Sequence, residues 1–184
     1  LSCWMLGLVI LIFVGISEGR SWSIDGTRYG ESLELSQQDT LVLLVNERYK
    51  IPENLYIDHN VFQLASSNMI TPDIRIYSAE GSTPTLRVQF YTQEEKPVYD
   101  NMDFNWNYKN DTLRFDNYIK LAGQWRAQRV TLTLYLPENK KVLIPSQTSQ
   151  YLRNLRDFDR GVRSRLNKDK ILLIMQDGKL HPLM

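Results

Sequence analysis

Cysteine is nearly absent from this chain of 184 residues, with Cys3 standing alone. That excludes an intrachain disulfide framework and a cysteine-rich zinc or iron–sulfur site. Histidine is almost as scarce. His59 and His181 lie far apart, and neither has a second ligand at metal spacing, so no metal and no cofactor is expected. Charge of one sign is missing too: Lys and Arg total 22 against 21 Asp and Glu, a net +1. No global field steers the chain toward nucleic acid or an acidic substrate. Gly-rich phosphate loops, dinucleotide fingerprints and Ser/His/Asp nucleophile motifs are also lacking. No small-molecule substrate is in view, and the expectation is a protein that is not an enzyme.

One long apolar run is present. Cys3–Ile16 carries no charge, and Leu1–Ser17 as a helix would span roughly 25 Å. That is a little short of a hydrocarbon core of about 30 Å. Trp4 near one end, and Glu18, Arg20 and Trp22 beyond the other, resemble interfacial flanks. A signal peptide is the rival reading, but a basic leading region is missing and Ile16-Ser17-Glu18 is a poor cleavage site. A buried core helix is the third. The preferred reading is a transmembrane helix over 1–20, followed by a polar linker over 21–39. The chain opens on Leu1 rather than Met and is read as a piece of something longer.

From residue 40 to 184 the pattern is that of a β-rich domain. Short apolar or alternating runs, among them Leu41–Val45, Ile74–Tyr77, Leu86–Tyr91, Leu113–Phe115, Val142–Ile144 and Ile171–Met175, are separated by Pro, Gly, Asn and Asp punctuation. Val130, Leu132, Leu134 and Leu136 alternate strictly with other residues before Pro137-Glu138-Asn139, a strand-then-turn signal. Four Trp, ten Tyr and six Phe suit an aromatic-rich β fold better than a helical bundle. A sandwich and a solenoid both fit strands spaced in this way. One stretch departs from the period. Within 146–168, Leu152, Leu155, Phe158, Val162 and Leu166 recur at three- and four-residue steps, predicting a short helical segment near 150–166.

The arginines beside that stripe, Arg153, Arg156, Arg160 and Arg163, are candidate interaction residues, as are Trp125, Arg126 and Arg129 where the alternating strand begins. A basic amphipathic segment docks partners or anionic surfaces, but it is also how an ordinary surface helix reads. Phe104, Trp106 and Tyr108 put three aromatics on one strand face. Single-strand binders stack bases on such rows, yet without a basic groove the row reads as core. Glu94, Glu95, Asp100 and Asp103 are carboxylates for which a glycosidase pair is conceivable, with no second catalytic element behind them.

Phe115-Asp116-Asn117-Tyr118-Ile119, Arg126-Ala127-Gln128-Arg129-Val130, Leu136-Pro137-Glu138-Asn139-Lys140 and the closing Met175–Leu180 together form a recognisable series. It resembles the C-terminal region of Bacteroidetes-type PspC-family envelope proteins, in which transmembrane helices precede a β-rich domain of the toast-rack kind. The likeness is best over 86–180, with Asn139 standing where the turn glycine is usual and Lys179 interrupting a Gly-Leu pair. These motifs are strand ends and turns, so no catalytic residue is carried over.

The resemblance implies a mainly β fold, toast-rack or β-solenoid-like, with a β-sandwich as the alternative. It implies a membrane-anchored envelope protein in a bacterial inner membrane, its β domain in the periplasm, acting as an interaction or sensing module in envelope stress response. Partners would be the membrane and a protein or a second copy, without nucleic acid. The alternative function is a structural scaffold subunit of a membrane or surface assembly.

Overall fold

The computed structural model describes residues 27–49, 61–64, 67–92, 102–122, 127–154, 158, 162, 165–166 and 170–183. The strands are, in chain order, β1 (Thr27–Glu34), β2 (Thr40–Asn46), β3 (Val61–Leu64), β4 (Ser67–Ile70), β5 (Asp73–Ser78), β6 (Thr85–Thr92), β7 (Met102–Asp103), β8 (Trp106–Lys109), β9 (Thr112–Asp116), β10 (Ile119–Leu121), β11 (Arg129–Leu136), β12 (Lys141–Ile144), β13 (Ile171–Gln176) and β14 (Lys179–Pro182). A single-turn helix, α1 (Ser146–Ser149), follows β12.

They assemble into three sheets, ordered β1-β6-β11-β5, β3-β4-β10-β7 and β14-β13-β12-β2-β9-β8. Period-two alternation supplies the reason. Val130, Leu132, Leu134 and Leu136 on β11, Ile74 and Ile76 on β5, and Leu86 and Val88 on β6 are all buried. They join Leu41 and Leu43 of β2, Leu113 and Phe115 of β9, and Val142 and Ile144 of β12 in one continuous core. The β1-β6-β11-β5 sheet and the six-stranded sheet thus turn their apolar faces to a shared interior. Pairing is mixed: β11 with β5, β12 with β2 and β2 with β9 are parallel, whereas the other ladders are antiparallel.

The turns follow from residues that tolerate left-handed backbone. Asn110 and Asp111 (φ 48° and 55°) close the β8–β9 hairpin, and Asp177 and Gly178 (φ 50° and 71°) close β13–β14, as two-residue hairpins require. Asn139 (φ 66°) turns β11 into β12, and Lys140 N donates to Pro137 O at 3.2 Å. The carboxylate of Glu138 accepts from Asp177 N at 3.2 Å and Gly178 N at 3.1 Å, tying the two turns together.

Two expectations change. β1 lies inside the stretch read as linker. Gly30–Glu34 are all exposed, so a strand that buries so little there has no apolar alternation to betray it. It is held by its ladder to β6, Thr27 opposite Thr92 through Glu34 opposite Thr85. The helical segment near 150–166 is not a continuous helix either. After α1 the chain becomes extended: Ile74 N donates to Tyr151 O, and Arg153 N donates to Ile74 O, both at 2.9 Å. The open edge of β5 competes successfully with helix for these backbone groups. Helical backbone recurs at Val162, Arg165 and Leu166. The apolar stripe does face inward, since Leu152, Phe158, Val162 and Leu166 are buried; Leu155 lies outside the described residues. No helix among the described residues is long and apolar enough to cross a membrane, and the expected spanning segment at 1–20 lies outside them.

Candidate interaction surface

If β5, β6 and β11 bury every second residue, the residues between them must share the opposite face. Backbone register fixes who stands beside whom. Arg75, Thr133 and Arg87 form one row across β5, β11 and β6. Tyr77, Tyr135 and Thr85 form the next row toward one end, and Asp73, Thr131 and Gln89 the next toward the other. Beyond it, Arg129 stands opposite Tyr91. This face carries a hollow of about 560 Å³, lined by Arg75, Tyr77, Gln89, Arg129, Thr131 and Tyr135 among others.

Its charge is mainly cationic: Arg75, Arg87 and Arg129 stand against Asp73 and against Glu34, which faces Thr85 from β1. Asp73 is taken up by Arg153, whose Nε donates to Oδ1 at 2.8 Å, with Arg75 at 4.0 Å from Oδ2. Arg153 also donates to Thr71 Oγ1 at 3.1 Å. Arg87 lies over the Tyr135 ring, 5.8 Å from its centroid, and Tyr135 packs against Tyr77 with centroids 6.1 Å apart. Thr133 is only 4% exposed although it points outward, consistent with the long stems of its two arginine neighbours lying over it. A cationic, aromatic, shallow surface results.

Of the arginines and tryptophan singled out from sequence, Arg129 lines the hollow and Arg153 is pinned at the edge of the same sheet. Trp125, Arg126, Arg156, Arg160 and Arg163 lie outside the described residues. Sequence reasoning missed Arg75, Arg87, Tyr77 and Tyr135. The signal was there, because each occupies the outward phase of a strand whose inward phase is apolar.

A second polar constellation gathers where β2, β7 and β9 end. Arg48 Nη1 donates to Asp103 Oδ1 at 2.7 Å and to Asp116 Oδ2 at 3.0 Å. Asp116, whose side chain is 3% exposed, also accepts from Asn105 N at 2.9 Å. Tyr49 Oη donates to Asp103 Oδ2 at 2.6 Å. Asn117 accepts from Tyr49 N at 3.1 Å and donates to Tyr49 O at 2.7 Å. The Tyr49 hydroxyl and then the Arg48 guanidinium hold the Asp103 carboxyl below the usual carboxylate range. Burial first, then the bond to Asp103, pushes Tyr49 up to about 12. Both oxygens of Asp103 and Oδ2 of Asp116 are thus engaged in holding strand ends together as a latch. Phe115, at the start of the same Phe-Asp-Asn-Tyr motif, packs edge-on against Tyr151 with centroids 5.7 Å apart. Glu94, Glu95 and Asp100 lie outside the described residues.

Lys140 is a third such device. Its Nζ donates to Ser36 O at 2.9 Å and to Gln38 O, and burial lowers its pKa. The aromatic row resolves as core: Phe104 is buried, and Trp106 and Tyr108 pack against the cluster.

Compared with known proteins, residues 52–182 match a family model described as the toast-rack found in some PspC proteins. No curated protein and no solved structure matches.

Proposed function

The chain belongs to the toast-rack family found in some PspC proteins, and on that premise we propose that it is a membrane-anchored, non-enzymatic interaction or sensing module of the bacterial envelope stress response. Residues 1–20 anchor it in the inner membrane, and the β domain stands in the periplasm. The observation that carries this reading is the outward face of the β1-β6-β11-β5 sheet. Its arginines and tyrosines are mounted on strands whose other face is the core, so a surface of these side chains is presented on a packed sheet. Arg and Tyr are the residue types that concentrate binding energy at protein interfaces.

The test is affinity purification of the full chain in mild detergent, before and after envelope stress, with mass spectrometry of what accompanies it. A conditional partner lost on Arg129→Glu supports the module. A partner held in fixed stoichiometry under all conditions overturns it in favour of a scaffold subunit. The chain emerging alone in both states refutes both.

A further inference from the structure

We propose that the outward face of the β1-β6-β11-β5 sheet binds an extended acidic peptide segment, with carboxylates four residues apart and an aromatic side chain two residues further. This rests on the reading of the chain as an interaction module and adds the chemistry of its partner.

The argument is one of spacing. Arg129 and the Arg75–Thr133–Arg87 row are separated by four residues along β11, which is about 13 Å in a strand. An extended peptide has the same rise. Laid along β11, it brings side chains i and i+4 over the two cationic positions, and i+6 over the Tyr77–Tyr135 pair. Arg75 and Arg87 flank Thr133 from either side, with their backbones about 10 Å apart across two strand spacings. In the free structure Arg87 lies over the Tyr135 ring and Arg75 is 4.0 Å from Asp73 Oδ2; both swing onto a carboxylate seated over Thr133, while Arg129 meets the other. Between the two positions the row of Thr131 and Gln89 offers neutral hydrogen-bonding groups to the peptide backbone. The acid in that row, Asp73, is already neutralised by Arg153, so it does not repel an anionic ligand. Arg129 has no ion-pair partner among the described residues. The hollow of about 560 Å³ lies among these rows, lined by Arg75, Arg129, Tyr77, Tyr135 and Gln89, and that mixture of cation, aromatic ring and amide suits a peptide.

The experiment is fluorescence anisotropy with the full chain in detergent micelles and a labelled peptide carrying glutamates at i and i+4 and tyrosine at i+6. Saturable binding is expected, weakening as salt shortens the screening length from about 10 Å at 0.1 M. Moving the second glutamate to i+2 or replacing both by lysine is expected to abolish it. Arg75→Gln, Arg87→Gln and Arg129→Gln are each expected to weaken it about fivefold, as loss of one exposed charge pair does. Thermal unfolding midpoints confirm that each variant is folded. Equal binding of the i+2 and i+4 peptides overturns the proposal. So does concentration-dependent self-association in place of peptide binding, or capture of anionic phospholipid vesicles that the three variants release. Loss of an envelope partner on Arg129→Gln, with the peptide still unbound by wild type, overturns the acidic-peptide inference alone and leaves the interaction module standing.

Discussion

Asn154 is a side chain acting as a piece of backbone, and its removal tests how the β5 edge is closed. Its Oδ1 accepts from Ile76 N at 3.0 Å, and its Nδ2 donates to Ile76 O. One amide group thereby completes both polar groups of a residue that is 1% exposed. Asn154→Ala leaves Ile76 N–H and C=O without these partners. A buried group left unsatisfied costs about 1–3 kcal/mol, and because β5 lies at a sheet edge, water recovers part of the loss for two groups. A net destabilisation of about 2 kcal/mol is expected. With a urea slope of about 2 kcal/mol/M, the unfolding midpoint falls by about 1 M. Amide exchange gives the sharper reading. The Ile76 amide is expected to exchange about thirtyfold faster, the factor corresponding to about 2 kcal/mol of local opening. Arg153→Ala keeps the backbone bonds to Ile74 and is expected to leave Ile76 exchange unchanged. Unaltered exchange at Ile76 in Asn154→Ala would refute the reasoning, because the edge would then be closed by the 151–153 backbone alone.

The strand-end latch makes the fold sensitive to both extremes of pH. Asp103 titrates below its usual range in the folded state, so its contribution is complete above about pH 4 and is lost as pH falls through the folded value; Asp103→Asn is expected to flatten that acid limb in plots of thermal midpoint against pH, and an unchanged limb would count against it. Tyr49 is raised to about 12, so its contribution is complete below about pH 10 and disappears as pH climbs toward the folded value. Tyr49→Phe removes that alkaline loss, and a wild-type-like decline would sink the assignment. Thr92 Oγ1 is buried without a hydrogen-bond partner among the described residues, so Thr92→Val is expected to raise stability by about 1 kcal/mol, read as a higher urea midpoint.

The core of this fold was readable because burial on one face writes itself into sequence with period two, and β11 is the plainest case. The turn at Pro137-Glu138-Asn139 was readable for the same local reason, since the positive φ at Asn139 restricts residue choice. β1 was not, because Gly30–Glu34 are exposed and the ladder that holds the strand uses backbone groups common to every residue. The 150–154 stretch misled because helical periodicity and inward packing are separate properties. Leu152 is buried as the stripe requires, but its backbone bridges to Ile74, a partner far away in sequence that no local pattern names. The candidate surface was half legible. Arg129 stood out by its place at the start of a strand, whereas Arg75 and Arg87 become its neighbours only through a parallel pairing and an antiparallel pairing with β11.

That last point bears on how such a surface can change its partner without endangering the fold. Arg75, Arg87 and Arg129 are attached to strands whose stability resides on the other side, in Ile74, Ile76, Leu86, Val88, Val130 and Leu132, all buried. Exposed substitutions of this kind usually fall within about 0.5 kcal/mol, while truncation of one of those core residues costs about 2–5 kcal/mol. Charge on the face is therefore free to vary with the ligand, provided the inward phase stays apolar. The exception is Asp73, which joins the face to the edge clamp through Arg153. Reversing Asp73 would alter the charge of the surface and loosen the 151–154 segment together, so at that position recognition and stability are physically coupled.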